Sequence, residues 1–238
     1  MGILMSQHAV VTGGGSGMGR AIAVRLARAG WTVAVLGRRM ERLQETAALA
    51  PDGAIRPEPV DVRDPDSVAV VRDRLLADWA SIDLVVNVAG TNVKRRLLEQ
   101  LSVEDFTELI AVNLLGPFHV VHAFLPSMRA QGHGTIVNIG SDAGLLASAK
   151  AGAGYVSSKF GLTGLTESIN AELRGQGIRA TAIFPGDTDT DLLEKRANPP
   201  RPEDRAAMLQ PDDIAECVML VVTLPQRVVV EKLLVRPR

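Results

Sequence analysis

The sequence predicts an α/β fold: a single doubly wound parallel β-sheet of about seven strands with helices on both faces. Two observations lead there. Short β-branched runs alternate with longer amphipathic stretches nearly from end to end. Several of those runs, Val33-Ala34-Val35-Leu36 and Leu84-Val85-Val86 among them, are apolar at successive positions, the pattern of a strand buried on both faces.

The elements follow in order. His8 to Thr12 reads as a strand, and Gly17 to Ala29 as a helix with Ile22, Val24, Leu26 and Ala27 apolar. Thr32 to Leu36 is the second strand and Met40 to Ala50 the next helix. Ile55 to Val60 is a third strand, interrupted by Pro57 and Pro59. Pro65 to Trp79 is a helix with proline in its first turn, and Ile82 to Asn87 a fourth strand. A long helical region from Val103 to Ala130 has its weak point at Gly116-Pro117. Thr135 to Ile139 is a strand, Tyr155 to Leu173 a helix, Ile178 to Phe184 a strand, Pro211 to Leu224 a helix and Glu231 to Val235 a last strand. No repeat or linker divides the chain, so residues 1–238 are expected to form one domain. The stretch 187–213, with Asn198-Pro199-Pro200-Arg201-Pro202 among many charges, is too polar and proline-rich for the core and is expected to form a surface flap.

Composition excludes several classes. Lys plus Arg number 26 against 27 Asp plus Glu, a formal charge of −1 over 238 residues, which argues against a nucleic-acid binder. Hydrophobic residues at 46% and charged residues at 22% are ordinary for a folded chain. Cys217 is the only cysteine, so no internal disulfide forms and a cysteine-based metal site is excluded. His119 and His122 share a helix face without an evident third ligand, and no metal site is expected. No run of about 18 apolar residues is evident, and no membrane span is expected. The start, Met1-Gly2-Ile3-Leu4-Met5-Ser6, fits a loose myristoylation pattern, but a strand beginning by His8 leaves no free arm for a lipid. The same start lacks the regions of a signal peptide, and a cytoplasmic location is expected.

Directly after the first strand comes Thr12-Gly13-Gly14-Gly15-Ser16-Gly17-Met18-Gly19. A glycine turn between strand and helix lets backbone N–H groups and the positive helix end approach a pyrophosphate, which points to a dinucleotide. The spacing is Thr-Gly-x-x-x-Gly-x-Gly; a Walker loop fails because Arg20-Ala21 stands where Lys-Ser/Thr would. Gly13, Ser16, Gly17, Met18 and Gly19 are the expected cradle. About 20 residues on, the second strand ends in Gly37-Arg38-Arg39, with no carboxylate for a ribose 2′-hydroxyl and two guanidiniums suited to a 2′-phosphate. NADP is therefore expected, with NAD the alternative.

Tyr155 is the only tyrosine, and Lys159 follows four residues later on one helix face. A free phenol near pKa 10 is a poor base at neutral pH. An ammonium about 4 Å away stabilises phenolate by about 4 kcal/mol at an effective dielectric near 20, or about three pKa units. That would bring the phenol near neutrality, suited to exchanging a proton with a substrate oxygen. Ser141, at the end of a strand, is placed to hold that oxygen, and the absence of a G-x-S-x-G elbow argues against a hydrolase nucleophile.

With these residues in this order, the chain resembles the short-chain dehydrogenases/reductases over essentially its whole length, from about Gln7 to Arg238. The matching motifs are Thr12-Gly13-x-x-x-Gly17-x-Gly19, Asp61-Val62, Asn87-x-Ala89-Gly90, Asn113, Ser141, Tyr155-x-x-x-Lys159 and Pro185-Gly186-x-Thr188-x-Thr190. The resemblance implies a Rossmann-type catalytic domain in which Tyr155 is the general acid/base, Lys159 lowers its pKa and holds the nicotinamide ribose, Ser141 positions the substrate oxygen and Asn113 retains a water linked to Lys159. It further places Asp61 and Val62 against adenine, Asn87, Ala89 and Gly90 along the ribose, and Pro185, Gly186, Thr188 and Thr190 around the carboxamide. Residues 187–213 would then be a substrate-side flap.

Three positions depart from the common pattern: Val88 replaces a second Asn, Met18 an Ile, and Gly140 the first Ser of a pair. The segment Gly37 to Leu43 and the tail Leu224-Pro225…Arg236-Pro237 are similar to NADP-using relatives acting on hydroxy acids or related carbonyl compounds. The function expected is reversible NADP(H)-dependent hydride transfer between an alcohol and a ketone or aldehyde on a small or medium substrate, by a homodimer or homotetramer. Two rivals are a catalytically silent NADP-binding regulatory or sensing protein and a sugar-nucleotide epimerase; the latter needs a larger C-terminal lobe than 238 residues allow.

Overall fold

Why the site lies where it does follows from strand order. The structure is a computed structural model describing residues 7–196 and 199–238; the amino-terminal myristoylation match and Ala197-Asn198 of the flap lie outside the described residues. The strands are β1 (His8–Thr12), β2 (Thr32–Gly37), β3 (Ile55–Pro59), β4 (Leu84–Asn87), β5 (Gly134–Ile139), β6 (Ile178–Pro185) and β7 (Lys232–Val235). They form one sheet in the order β3-β2-β1-β4-β5-β6-β7, every pair parallel. All carboxyl ends therefore share one edge. Strand order reverses between β1 and β4, and that switch point opens the crevice where ligands of such sheets bind.

The helices are α1 (Gly17–Arg28), α2 (Met40–Ala47), α3 (Pro65–Asp78), α4 (Val103–Ile110), α5 (Gly116–Gln131), α6 (Ala153–Leu173), α7 (Pro202–Arg205) and α8 (Pro211–Thr223). Alternate residues of each central strand feed opposite cores. Ala9 and Val11 pack with Ile22 and Leu26 of α1 and Ile214 and Val218 of α8. Val10, between them, packs on the other face with Val71 and Leu75 of α3, Phe124 and Met128 of α5 and Ile169 of α6. Burying a side chain of that size stabilises by about 1.5–3 kcal/mol, so both faces are anchored.

Several boundaries differ from the sequence reading. The third strand survives Pro57 and Pro59 because it is an edge strand, paired only with β2, where a missing N–H costs little. The region 103–130 does not break at Gly116-Pro117. A π-helical turn, Ala111–Leu115, joins α4 to α5, and Pro117 falls in the first turn of α5. Val103–Gln131 is long and apolar enough, by length and mean composition, to cross a membrane, although Asn113, His119 and His122 interrupt its apolar residues. In this fold it is a core element: Leu109, Asn113, Val120, Phe124 and Met128 are buried, and α5 packs on α3 while α4 packs on α6.

Candidate active site

Backbone close approach fixes the glycine turn. Gly13 has φ of +67°, and a Cβ there would lie 2.9 Å from the Ala89 nitrogen. At Gly19 a Cβ would meet the Gly13 carbonyl oxygen at 2.2 Å, so α1 can start against the turn only without a side chain. The Thr12 hydroxyl accepts from the backbone N–H groups of both Val88 and Ala89 at 3.0 Å, tying the turn to the loop after β4. Ser16 sits at the N-cap of α1 but makes no side-chain cap, and no acidic residue stands in the first turn. The leading N–H groups, including those of Gly17 and Met18, are thus left for an anion in a turn bare of side chains. This is a fit for a dinucleotide pyrophosphate.

Arg38 and Arg39, past the end of β2, are exposed and have no ion-pair partner among the described residues. Asp61 is partly committed elsewhere: its carboxylate accepts from the Arg63 backbone N–H at 3.0 Å and pairs with the Arg63 guanidinium at 2.5 Å. Arg63 also pairs with Glu108. The Arg63 hydrogen bonds hold the Asp61 carboxyl below its usual range despite partial burial, and Arg38 adds to that from a distance. Val62 is buried and presents its carbonyl to His119 Nδ1 at 2.9 Å.

Asn87 departs from expectation. Its side chain is buried between strands, donating to Asn138 Oδ1 at 2.8 Å across the β4–β5 register, and it does not open onto the crevice. The reason is strand alternation: position 87 is still within β4, and only Ala89 and Gly90 lie beyond it. Gly90 adjoins both Asn113 Oδ1 and Lys159 Nζ, at 3.5 and 3.9 Å from where its Cβ would stand. Asn113, fully buried in the π turn, accepts from the Thr91 N–H at 2.8 Å and donates to the Thr91 carbonyl at 3.0 Å and Ser158 Oγ at 3.1 Å. These bonds pin the loop after β4.

A cavity of about 520 Å³ gathers Met18, Ser141, Tyr155, Pro185, Gly186, Thr188 and Thr190 at the carboxyl ends of β5 and β6. Lys159 lies behind it, 4% exposed, donating to the Ile139 carbonyl at 2.8 Å. Its Nζ is 5.7 Å from the Tyr155 ring centroid. Ser141 Oγ accepts from the Ala143 N–H at 3.2 Å, donates to Asp142 Oδ1 at 3.3 Å and faces the phenol across the cavity wall.

Burial governs the electrostatics of Tyr155 and Lys159. Burial pushes the phenol up to about 12. Ser141, Arg196 and Arg96 pull the other way, while Asp142 adds to the rise. Burial likewise drives Lys159 down to about 8. Desolvation penalises both charged forms, and Lys159 is not among the groups that shift the phenol.

Sequence reasoning missed Ser158, which meets Asn113. Thr12 was read only as opening the glycine motif, and its hydroxyl braces the turn; Arg96 and Arg196, which face the phenol, fall in the stretches 91–96 and 187–213 that the sequence assigns to the pocket wall without singling them out. Among the described residues no group of three or more His, Cys, Asp or Glu gathers as a metal site.

The comparisons agree with this geometry. A family model described as short chain dehydrogenase matches residues 7–200. Sulfoacetaldehyde reductase 2 of Chromohalobacter salexigens is 34% identical over 240 residues, covering 98% of this chain and 95% of the relative. The alcohol dehydrogenase of the archaeon Thermococcus sibiricus, solved with 5-hydroxy-NADP, superposes with a TM-score of 0.86 at 33% identity, covering 98% of this chain and 97% of that one. A closed form of serine dehydrogenase complexed with NADP+ superposes with a TM-score of 0.90 at 32% identity, covering 97% and 95%.

Proposed function

From a chain that belongs to the short-chain dehydrogenase family and is an NAD(P)-dependent oxidoreductase acting on CH–OH groups, we propose that it interconverts a small or medium alcohol with its aldehyde or ketone using NADP(H). A hydroxy acid or related carbonyl compound fits that description. In the reducing direction one carbonyl, one NADPH and one proton give one alcohol and one NADP+. The observation that carries the reading is that Ser141 and Tyr155 share the wall of one cavity at the carboxyl edge of the sheet, with Lys159 directly behind.

When bound, the cofactor supplies or accepts the hydride. The rest is the chain's own work. Ser141 Oγ holds the reacting oxygen, and Tyr155 Oη gives it a proton or removes one. A neutral phenol is the proton donor in reduction, so the high phenol pKa suits that direction near neutral pH. Lys159 keeps the phenol side of the site polar, and Asn113 fixes the loop carrying Gly90 beside it. Arg38 and Arg39 would take a 2′-phosphate, which the NADP complexes of the relatives support; NAD is the alternative. The names of those relatives, a serine dehydrogenase and a sulfoacetaldehyde reductase, support a small polar substrate.

We place the whole span 1–238 in one cytoplasmic catalytic domain with 187–213 as a substrate-side flap. Self-association as a homodimer or homotetramer is supported by exposed apolar residues on the long helices, Phe106, Leu115, Phe118 and Phe160, each about 40% exposed. A panel of aldehydes and ketones followed by NADPH absorbance, run beside NADH, tests the reading. Oxidation of NADPH well above NADH is expected; cofactor binding without oxidation of either, across the panel, would favour a silent sensing protein.

A further inference from the structure

Two buried arginines in this fold differ in one respect. Arg179, 3% exposed, has its donors taken up by Thr135 Oγ1 and the carbonyls of Val221, Leu224, Pro225 and Val228. It is a structural arginine, bracing the end of α8. Arg96, 9% exposed, has only two acceptors: the Lys195 carbonyl at 2.5 Å and the Lys150 carbonyl at 3.4 Å. Its Nε is buried without an acceptor, and no carboxylate pairs with it among the described residues. A buried guanidinium without a counter-charge carries a desolvation penalty, which an anionic ligand would offset.

The surroundings give the sign of that ligand. Arg96 lines the same cavity as Tyr155 and its charge acts on the phenol. The wall carries four cations, Arg96, Lys150, Arg196 and Arg236, against two carboxylates, Asp142 and Asp187. Asp187 is already shared by Lys150 at 2.7 Å and Arg196 at 2.5 Å, and Asp142 faces Arg236 at 3.8 Å. An excess of positive charge therefore remains beside the phenol, in a chain whose net charge is −1. Arg96 lines the cavity beside Tyr155 and bonds the segments carrying Lys150 and Lys195, away from the glycine turn, which places it at the substrate end of the site.

We propose that Arg96 anchors a carboxylate on the substrate itself, supported by the Arg196 charge, so that the enzyme works on small oxo acids and the corresponding hydroxy acids. This rests on the oxidoreductase reading above. Arg96 sets specificity and Tyr155 does the proton transfer. The anchored carboxylate supplies the counter-charge the guanidinium lacks, and it orients the carbonyl toward Ser141 and Tyr155 from the far side of the cavity.

The test pairs oxo acids of two to five carbons with their methyl esters, which keep the chain and delete the charge, and follows NADPH oxidation. Wild type is expected to favour the best acid over its ester by about 100-fold in kcat/KM. Arg96→Gln should erase that preference, mostly through the KM for the acid and with a much smaller loss on the ester, while leaving NADPH affinity within a few-fold. Arg96→Lys should restore part of it, and Arg95→Gln, one residue away and exposed, should change nothing. Equal losses on acid and ester in Arg96→Gln would make the residue a strut and overturn the proposal. So would esters turned over as well as acids by wild type, which decides the matter even if the variants do not fold. Turnover of neutral carbonyls alone removes this inference and leaves the oxidoreductase reading standing; no turnover of any carbonyl removes both.

Discussion

Lys159 stands 5.7 Å from the centroid of the Tyr155 ring and donates its hydrogen bond away from it, to the Ile139 carbonyl. One acceptor is little compensation for a buried ammonium, and burial brings the amine from 10.5 down to about 8. A depressed amine pKa means the folded state resists the charged form. The cost is present below pH 8 and disappears as pH rises toward 10.5. At pH 7 Lys159→Met should therefore raise stability, by up to roughly 3 kcal/mol, while turnover collapses. Chemical denaturation at pH 7 and pH 10 checks this: the gain should shrink at the higher pH, and a variant less stable than wild type at pH 7 would show the ammonium to be well solvated in the fold.

Tyr155 produces the opposite slope above that window. Burial raises the phenol from 10.0 to about 12, so the folded state favours the protonated form. Stability should fall between pH 10 and 12 as the unfolded chain ionises first. In Tyr155→Phe that fall should be smaller, which paired denaturation curves at pH 10 and 11.5 would reveal.

Ser141 has two jobs, accepting from the Ala143 N–H and, on the cavity wall beside Tyr155, presenting a hydroxyl to the reacting oxygen. Ser141→Ala should lower kcat/KM by about 100-fold or more, as loss of a hydrogen bond aimed at the reacting oxygen does. The structural cost should be only about 1 kcal/mol. A thermal melt beside the kinetics separates the two effects.

Arg38 is exposed and unpaired, next to an Asp61 already held by Arg63. Arg38→Asp should weaken NADPH by about 10-fold or more, since charge-assisted contacts to phosphate are worth about 1.5–3 kcal/mol, and should spare NADH. Fluorescence titration with both cofactors at two salt concentrations is the measurement. Equal weakening of both would remove the 2′-phosphate assignment.

Gly19→Ala addresses the turn itself. Its methyl would sit 2.2 Å from the Gly13 carbonyl oxygen, a clash that the backbone must relieve by moving. Loss of cofactor binding with a lowered melting temperature is expected, whereas Gly164→Ala, where a Cβ meets nothing within 4 Å, should be silent.

Much of this was legible before any coordinates because the signals are local. The strand–glycine–helix junction at residues 12–19 is written in consecutive positions, and Tyr155 and Lys159 share a helix face by spacing alone. What the sequence hid depends on distant chain. The stretch 91–96 reads as pocket wall, but nothing in it singles out Arg96, and only the fold brings that side chain against the carbonyls of residues 150 and 195. Asn87 looked like a ligand contact until the β4 register turned it into the sheet. Spacing also shows that Lys159 is near Tyr155 but not how dry their surroundings are, and dryness governs both shifts.

The claim that matters most is that the Tyr155 hydroxyl carries the proton. Single-turnover NADPH oxidation in Tyr155→Phe, with NADPH affinity measured in the same preparation, tests it directly. The account predicts affinity within a few-fold of wild type and a hydride-transfer rate reduced by about 1,000-fold or more, within the range general acid catalysis supplies. A rate within 10-fold of wild type, with roughly equal cofactor affinity, would contradict it and assign the proton to another group.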